Sequence, residues 1–328
     1  MSVGLISTGQ HRELLQQALE AFKITADHDL GVMQPGQSLS QLTARILTGL
    51  DLLYQNEKPD LVLAHGDTTT CYSTAVSSFY HSIPFFHVEA GLRTYRLDSP
   101  FPEEFNRQGV SQLAQHHFAP SSVAKQNLLN DGIKESTITI TGNTVRDAIE
   151  EVKSQMPPFE KCGRKLVLVT LHRREPGEVL ESMMTSIQRA ASINKDVLFF
   201  FSVHPNPKVK AIAENILSDQ ENVILSEPLA YREFLTMMLR STLILTDSGG
   251  VQEEAAYLKK NVFVLREKSE REDGIKSGST KIIGTNPAVI LREINRNLRE
   301  ELQVFSPLEA VERSASAIVA DTVERAAL

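Results

Sequence analysis

The sequence predicts an α/β protein of two Rossmann-like domains facing one another across a cleft. Three observations carry this reading. Short β-branched apolar runs alternate with helical apolar spacing through almost the whole chain, the pattern of right-handed βαβ units around a mainly parallel sheet. The alternation breaks at "SQMPPFEKCGR", where two prolines disfavour helix, and then resumes. At 328 residues the chain is long enough for each half to bury its own core.

Residues 3–7 read as a short strand, and 11–26 carry helical apolar spacing. After the turn signal in "MQPGQ" a helix is expected over about 39–56. "PDLVLAHGD" is a continuous apolar run, which suits a strand covered on both faces. "TTTCYSTAVSSFYHS" follows as a helix capped by threonine. Strand signals recur at "IPFFHVEA", "HHFAP" and "STITITG", with helices from Ser121 and Val145. Past the break, "KLVLVTLHRRE" opens a second sheet. "DVLFFFSVHP", "NVILSEP", "TLILTDSGG" and "NVFVLRE" continue it as strands, separated by helices through "PKVKAIAENIL", near Phe234 and from Val251. An amphipathic helix is expected over 308–327. The boundary falls near 155–163, giving a first domain over 1–158, rejoined by 308–328, and a second over 159–307. In such domains ligands bind where strand ends meet helix starts.

Composition narrows the function. A net charge of -7 leaves no basic excess for nucleic acid or anionic lipid. No apolar run approaches the roughly 18 residues that span a bilayer. The opening residues match no signal or transit peptide. Cys71 and Cys162 fit no disulfide or metal spacing and read as reduced thiols, so a cytoplasmic location is expected. The histidines show no paired metal-ligand spacing, and no metal site is expected.

Five motifs sit where chemistry is expected. In "ILTDSGGVQEEAAYL" an apolar strand ends at Asp247. Ser248, Gly249 and Gly250 then open a helix whose free N–H groups can cradle a phosphate. Glu254, one turn on, can accept from ribose hydroxyls; the bland alternative is a helix start with glycines kept for packing. Asp67 follows a strand in "LVLAHGDTTT" and serves either chemistry or the turn. Glu89 ends the strand in "FHVEAGLRT", followed by a glycine turn and Arg93, and "SPFPEEFNR" adds Glu103 and Glu104. Carboxylates at successive strand ends converge on one rim, where proximity can separate an acid from a base. Glu104 is equally explained as a charged first helical turn. "VTLHRRE" sets His172, Arg173 and Arg174 at a strand end, suited to protonating and neutralising a departing phosphate. His204 in "SVHPNP" reads as structural unless a second ligand site exists.

Together, "GQHRELL", "MQPGQSL", "HGDTTT", "HVEAGLRT", "FPEEFNR", "ITGNTVRDA", "HRRE", "HPNP", "DSGGVQEEA" and "SERED" resemble the non-hydrolysing UDP-N-acetylglucosamine 2-epimerases, in order and approximate spacing over about 5–285. The resemblance implies a GT-B-like fold. It also implies interconversion of UDP-GlcNAc and UDP-ManNAc without metal or nicotinamide, for envelope or capsular polysaccharide precursors. UDP is eliminated across C1–C2 and re-added after protonation on the opposite face. By motif, Asp67, Glu89, Glu103 and His172 match the family's acid–base positions. Ser248, Gly249, Gly250, Glu254, Phe234 and Arg271 match its UDP contacts. Gln10, Glu13, Glu103, Arg173 and His204 fall on or near segments where many members bind a second UDP-GlcNAc as activator. A homodimer is also implied.

Three departures stand out. The family opens with a strand and a Gly-Thr-Arg-Pro-Glu loop, whereas this chain begins at what corresponds to the second strand. A Gly-Asp-Gly loop before the last helix has no counterpart, and "SERED" replaces Glu-Arg-Pro-Glu. The expectation is an N-terminally shortened member, its first βα unit missing and a sheet position left exposed. Two alternatives stay open: a UDP-sugar-binding homologue with impaired turnover, and a GT-B glycosyltransferase, which shares the phosphate cradle but has no need of the three carboxylates.

Overall fold

In the computed structural model, the chain divides into two units, Met1–Asp147 with Glu309–Leu328, and Ala148–Leu308. The structure describes residues 1–10, 12–156, 163–171, 177–267, 275, 278–300 and 313–326, without the side chains of 12–14 and 17.

The first unit holds β1 (Ile6–Ser7), α1 (Arg12–Ala21), β2 (His28–Asp29), α2 (Leu39–Glu57), β3 (Val62–His65), α3 (Thr69–Tyr80), β4 (Phe85–Val88), α4 (Glu103–Leu113), β5 (His116–Ala119), α5 (Ser122–Asn130) and β6 (Ile138–Ile140). Ser38 and Gln41 form a capping box that starts α2. Leu42, Ile46, Leu50 and Tyr54 recur at helical spacing and are its buried stripe. That stripe packs with Cys71 and Ala75 of α3, Phe85 of β4 and Val110 of α4. On the other face of the sheet, Phe86, Val88 and Phe118 pack against Val319 of the terminal helix Ala315–Ala326. The Asp147 carboxylate holds this helix by accepting from the Ser314 hydroxyl and the Ser316 amide.

The strands of this unit are all parallel but form two sheets, β1-β2 and β3-β4-β5-β6. Here the structure corrects one expectation. The apolar run at β3 is not covered on both faces: Leu63 is 44 % exposed, and among the described residues β3 is an edge strand paired with β4 alone. The first strand and helix are also shorter than their apolar patterns: the strand begins only at Ile6, and the helix ends at Ala21.

The second unit adds α6 (Val145–Ser154), which begins just ahead of the division, then β7 (Leu166–Leu171), α7 (Gly177–Ile193), β8 (Leu198–Val203), α8 (Pro207–Leu217), β9 (Val223–Ser226), α9 (Tyr231–Arg240), β10 (Leu243–Thr246), α10 (Gly249–Tyr257), β11 (Asn261–Val264), β12 (Thr280–Ile282) and the helix Pro287–Arg299. Its six strands are parallel in the order β9-β8-β7-β10-β11-β12. Counted from β7 this is the 3-2-1-4-5-6 arrangement of a doubly wound sheet, whose direction reverses between β7 and β10. Alternate residues serve opposite faces. Val167, Val169, Leu171, Phe199 and Phe201 enter a core closed by α7, α8 and the helix Pro287–Arg299. Leu168, Ile244, Val262 and Val264 face α9 and α10. Phe199 and Phe201 are fully buried, and each contributes roughly 2–3 kcal/mol of transfer free energy. Among the described residues, no helix is long and apolar enough to cross a membrane.

Candidate functional site

In the first unit the carboxylates gather at the carboxyl ends of β3 and β4. β3 leads through Gly66, at φ +80°, into Asp67, and Thr68 caps α3 by accepting from the Cys71 amide. β4 leads directly into Glu89, which sits at φ +63°, a left-handed conformation costly for a residue with a Cβ. Asn143, just past β6, donates to the Glu89 carboxylate at 3.3 Å, and His65 lies 3.9 Å from it. A Cβ built on Gly66 would stand 3.9 Å from Glu89 Oε1, so the Glu89 carboxyl lies beside the Gly66–Asp67 turn. Burial pushes the Cys71 thiol up, and the negative charges of Asp67 and Glu89 push it further. Both carboxylates therefore act on the same corner, at the start of α3.

Residues of α4 complete the cluster. Arg107, whose side chain is 3 % exposed, grips Asp67 Oδ2 through Nε at 2.9 Å and Nη2 at 2.7 Å. Its Nη1 donates to Glu104 at 3.1 Å, and Asn106 donates to the Asp67 carbonyl at 2.8 Å. Glu104 is fully buried and also accepts from the Thr94 and Tyr95 amides and the Gln108 side chain. Burial by itself would raise its carboxyl. The hydrogen bonds from Gln108, Thr94 and Tyr95, with the Arg107 charge, outweigh burial and hold it below the usual carboxylate range. Glu104 is thus a structural hub rather than a surface first-turn charge. Its neighbour Glu103 is half-buried, with no hydrogen-bonding or ionic partner among the described residues. Arg93 is likewise buried structure, bonded to Asp131, Ser111 and the Leu92 carbonyl.

The second unit presents a different chemistry at its strand-order reversal. β10 ends at Thr246, and α10 begins at Gly249 with Ser248 as N-cap. The Ser248 side chain makes no capping bond; its amide donates to Thr246 Oγ1 at 3.0 Å. A Cβ added at Gly250 would meet nothing within 4 Å among the described residues. Close packing therefore does not require glycine there, while a helix start with bare backbone suits an anion. Glu254 keeps some accessible surface, yet protein crowds its carboxyl, and this desolvation pushes it up to about 7; an interaction with Tyr231 opposes the rise. Phe234 of α9 is half-buried against the apolar cluster that includes Leu168, Met238, Ile244 and Val251. His204 follows β8 and accepts from the Asn206 amide through Nδ1 at 3.1 Å.

Gln10 turns toward the carboxylate corner: its Oε1 accepts from the Thr70 amide at 3.2 Å and the Thr70 hydroxyl at 2.6 Å. The backbone of Glu13 lies in α1, but its side chain, like His172, Arg173 and Arg271, lies outside the described residues. Asn106, Arg107 and Asn143 join this cluster as well, with less signal in the sequence. Arg107 stands at i+3 from Glu104, a spacing that signals an ion pair. Asn143 stands just past a strand end, where ligand-facing groups collect. Among the described residues, no three His, Cys, Asp or Glu side chains are grouped to hold a metal ion.

A family model described as UDP-N-acetylglucosamine 2-epimerase matches residues 1–318. A UDP-N-acetylglucosamine 2-epimerase of Salmonella typhimurium is 45 % identical over 308 residues, covering 90 % of this chain and 82 % of the relative. The crystal structure of the Neisseria meningitidis UDP-GlcNAc 2-epimerase bound to UDP-GlcNAc is 38 % identical with a TM-score of 0.86, covering 96 % of this chain and 90 % of that one. That of the Methanocaldococcus jannaschii enzyme in complex with UDP-GlcNAc and UDP is 29 % identical with a TM-score of 0.84, covering 98 % and 91 %.

Proposed function

The chain belongs to the UDP-N-acetylglucosamine 2-epimerase family, and from that premise we propose that it interconverts UDP-GlcNAc and UDP-ManNAc by eliminating and re-adding UDP. The C2 proton of the sugar is weakly acidic, so removing it alone is costly. Expelling UDP from C1 as the C2 proton leaves avoids a full carbanion and gives a 2-acetamidoglucal. Returning the proton to the opposite face and re-adding UDP inverts C2. This chemistry needs carboxyl groups for both faces and an anchor for the diphosphate.

The observation that carries the proposal is the carboxylate corner, with Asp67 gripped by Arg107 and Glu89 in a strained conformation beside it; Glu103, at the start of α4, has no side-chain partner among the described residues. Asp67, Glu89 and Glu103 are assigned proton transfer at C2, and His172 the proton donated to the leaving diphosphate. Ser248, Gly249 and Gly250 are assigned the diphosphate, Glu254 the ribose hydroxyls, and Phe234 and Arg271 the remaining UDP contacts. Gln10, Glu13, Arg173 and His204 are assigned to a second nucleotide-sugar site. The bonds that Gln10 accepts from Thr70, three residues beyond Asp67, support a link from that site to the carboxylates. The same reading takes the protein to be a cytoplasmic homodimer that supplies precursors of cell-envelope or capsular polysaccharide.

The test is incubation with UDP-GlcNAc in deuterated water, following C2 by proton NMR. Deuterium at C2 and a manno signal are expected. Asp67→Asn is expected to abolish both while UDP still binds. UDP binding without C2 exchange in the unsubstituted protein overturns the proposal.

A further inference from the structure

His87 is fully buried in β4, on the face it shares with Phe85, against the core beneath α3. Its Nε2 lies 2.8 Å from the Gly66 carbonyl oxygen. Nδ1 has no hydrogen-bond partner among the described residues. The carbonyl accepts, so Nε2 carries the proton and Nδ1 is a bare acceptor sealed in the core. An unsatisfied buried acceptor costs stability, and an apolar side chain of the same size would avoid the cost. Burial pushes the imidazole down to about 3, opposed by the Gly66 bond, so the ring stays neutral and the donor stays in place across the working pH range.

What this bond holds is the peptide joining Gly66 to Asp67. Gly66 sits at φ +80°, and its amide donates to the Val88 carbonyl at 3.0 Å, so β4 grips it through both its donor and its acceptor. Asn106 of α4 grips the next peptide group through the Asp67 carbonyl. Both peptide planes flanking Asp67 are therefore fixed by side chains from other elements, and Arg107 fixes the carboxylate. We propose that His87 is a positioning residue, which aims the Asp67 carboxyl by donating to the Gly66 carbonyl. This inference rests on the epimerase reading above.

The test compares His87→Met, which keeps bulk and loses the donor, with His87→Gln, whose amide nitrogen reaches as far as Nε2. His87→Met is expected to lower kcat by about 10- to 100-fold, the scale of a misaimed catalytic group. Its melting temperature is expected to match or exceed that of the unsubstituted protein, with UDP affinity unchanged. His87→Gln is expected to regain most of the turnover. Full kcat in His87→Met overturns the inference. So does a loss of kcat that tracks a fall in melting temperature and is not restored in His87→Gln. Should His87→Met not fold, His87→Asn, whose shorter amide stops short of Gly66, takes its place with the same expectations for kcat and UDP affinity. Absence of C2 exchange in the unsubstituted protein overturns the epimerase reading, and this inference with it.

Discussion

Replacing Arg107 with Met removes the cation shared by Asp67 and Glu104. Its side chain is 3 % exposed and that of Glu104 is 0 % exposed, so water replaces neither partner. Breaking a buried pair from one side costs about 3–5 kcal/mol. Glu104 keeps the amides of Thr94 and Tyr95 and the Gln108 side chain, and Asp67 is 20 % exposed, so the lower end applies. At about 3 kcal/mol, and about 2–4 °C per kcal/mol for a unit of this size, the melting temperature should fall by about 6–12 °C. The chain has no tryptophan, so far-UV circular dichroism is the suitable probe. The pH dependence separates charge from packing. The Glu104 carboxyl is depressed in the native state, so its stabilisation is present above the ordinary value of 4.5 and lost as pH falls through the depressed native value. Without Arg107 the depression shrinks, and the gap between the two proteins should narrow as pH falls from 7 toward 4. A cost under about 1 kcal/mol, or a gap that stays constant to pH 4, refutes the electrostatic account.

Three further outcomes follow from particular contacts. Glu254 has a native carboxyl raised to about 7 from 4.5, so stability should decline as pH rises through that window, by up to about 3 kcal/mol, and Glu254→Gln should flatten the decline in urea titrations. If its carboxylate accepts from UDP, affinity should rise by up to about tenfold from pH 6 to pH 8, with proton release detectable by calorimetry in buffers of different ionisation heat; a flat profile removes Glu254 from the UDP contacts. Gly91→Ala would place a Cβ 2.2 Å from the Ala124 carbonyl oxygen at φ +90°, and should cost about 3 kcal/mol or more, seen as a large drop in melting temperature or soluble yield.

The resemblance to the epimerase family was legible in the order of the motifs, and the family match over residues 1–318 agrees with it. The alternation of strand and helix also marked the strand ends as the places where chemistry is expected. A strand ending in Gly66-Asp67 and another ending in Glu89 announce themselves locally, because an apolar run must stop where the chain leaves the core. The glycines that open α10 are as plain, since a helix start exposes its own amides whatever surrounds it.

What the sequence by itself determined, then, was the set of elements and the residues at their ends, both products of short-range periodicity and turn chemistry. Only the tertiary structure decided which of those residues meet. Periodicity does not tell which of two adjacent glutamates turns inward. The rotation of α4 on the sheet buries Glu104 and leaves Glu103 without a side-chain partner among the described residues. Asp67 and Arg107 are 40 residues apart, and Glu89 and Asn143 are 54 apart. Nor does the apolar run of β3 reveal that it lies at an edge, because coverage of a strand depends on its neighbours. The bond from His87 to Gly66 was equally invisible, since a buried histidine in a strand looks like any other core residue until the carbonyl opposite its ring is known. Local pattern is set by the chain's own stereochemistry, whereas pairing between distant segments is set by how whole elements pack.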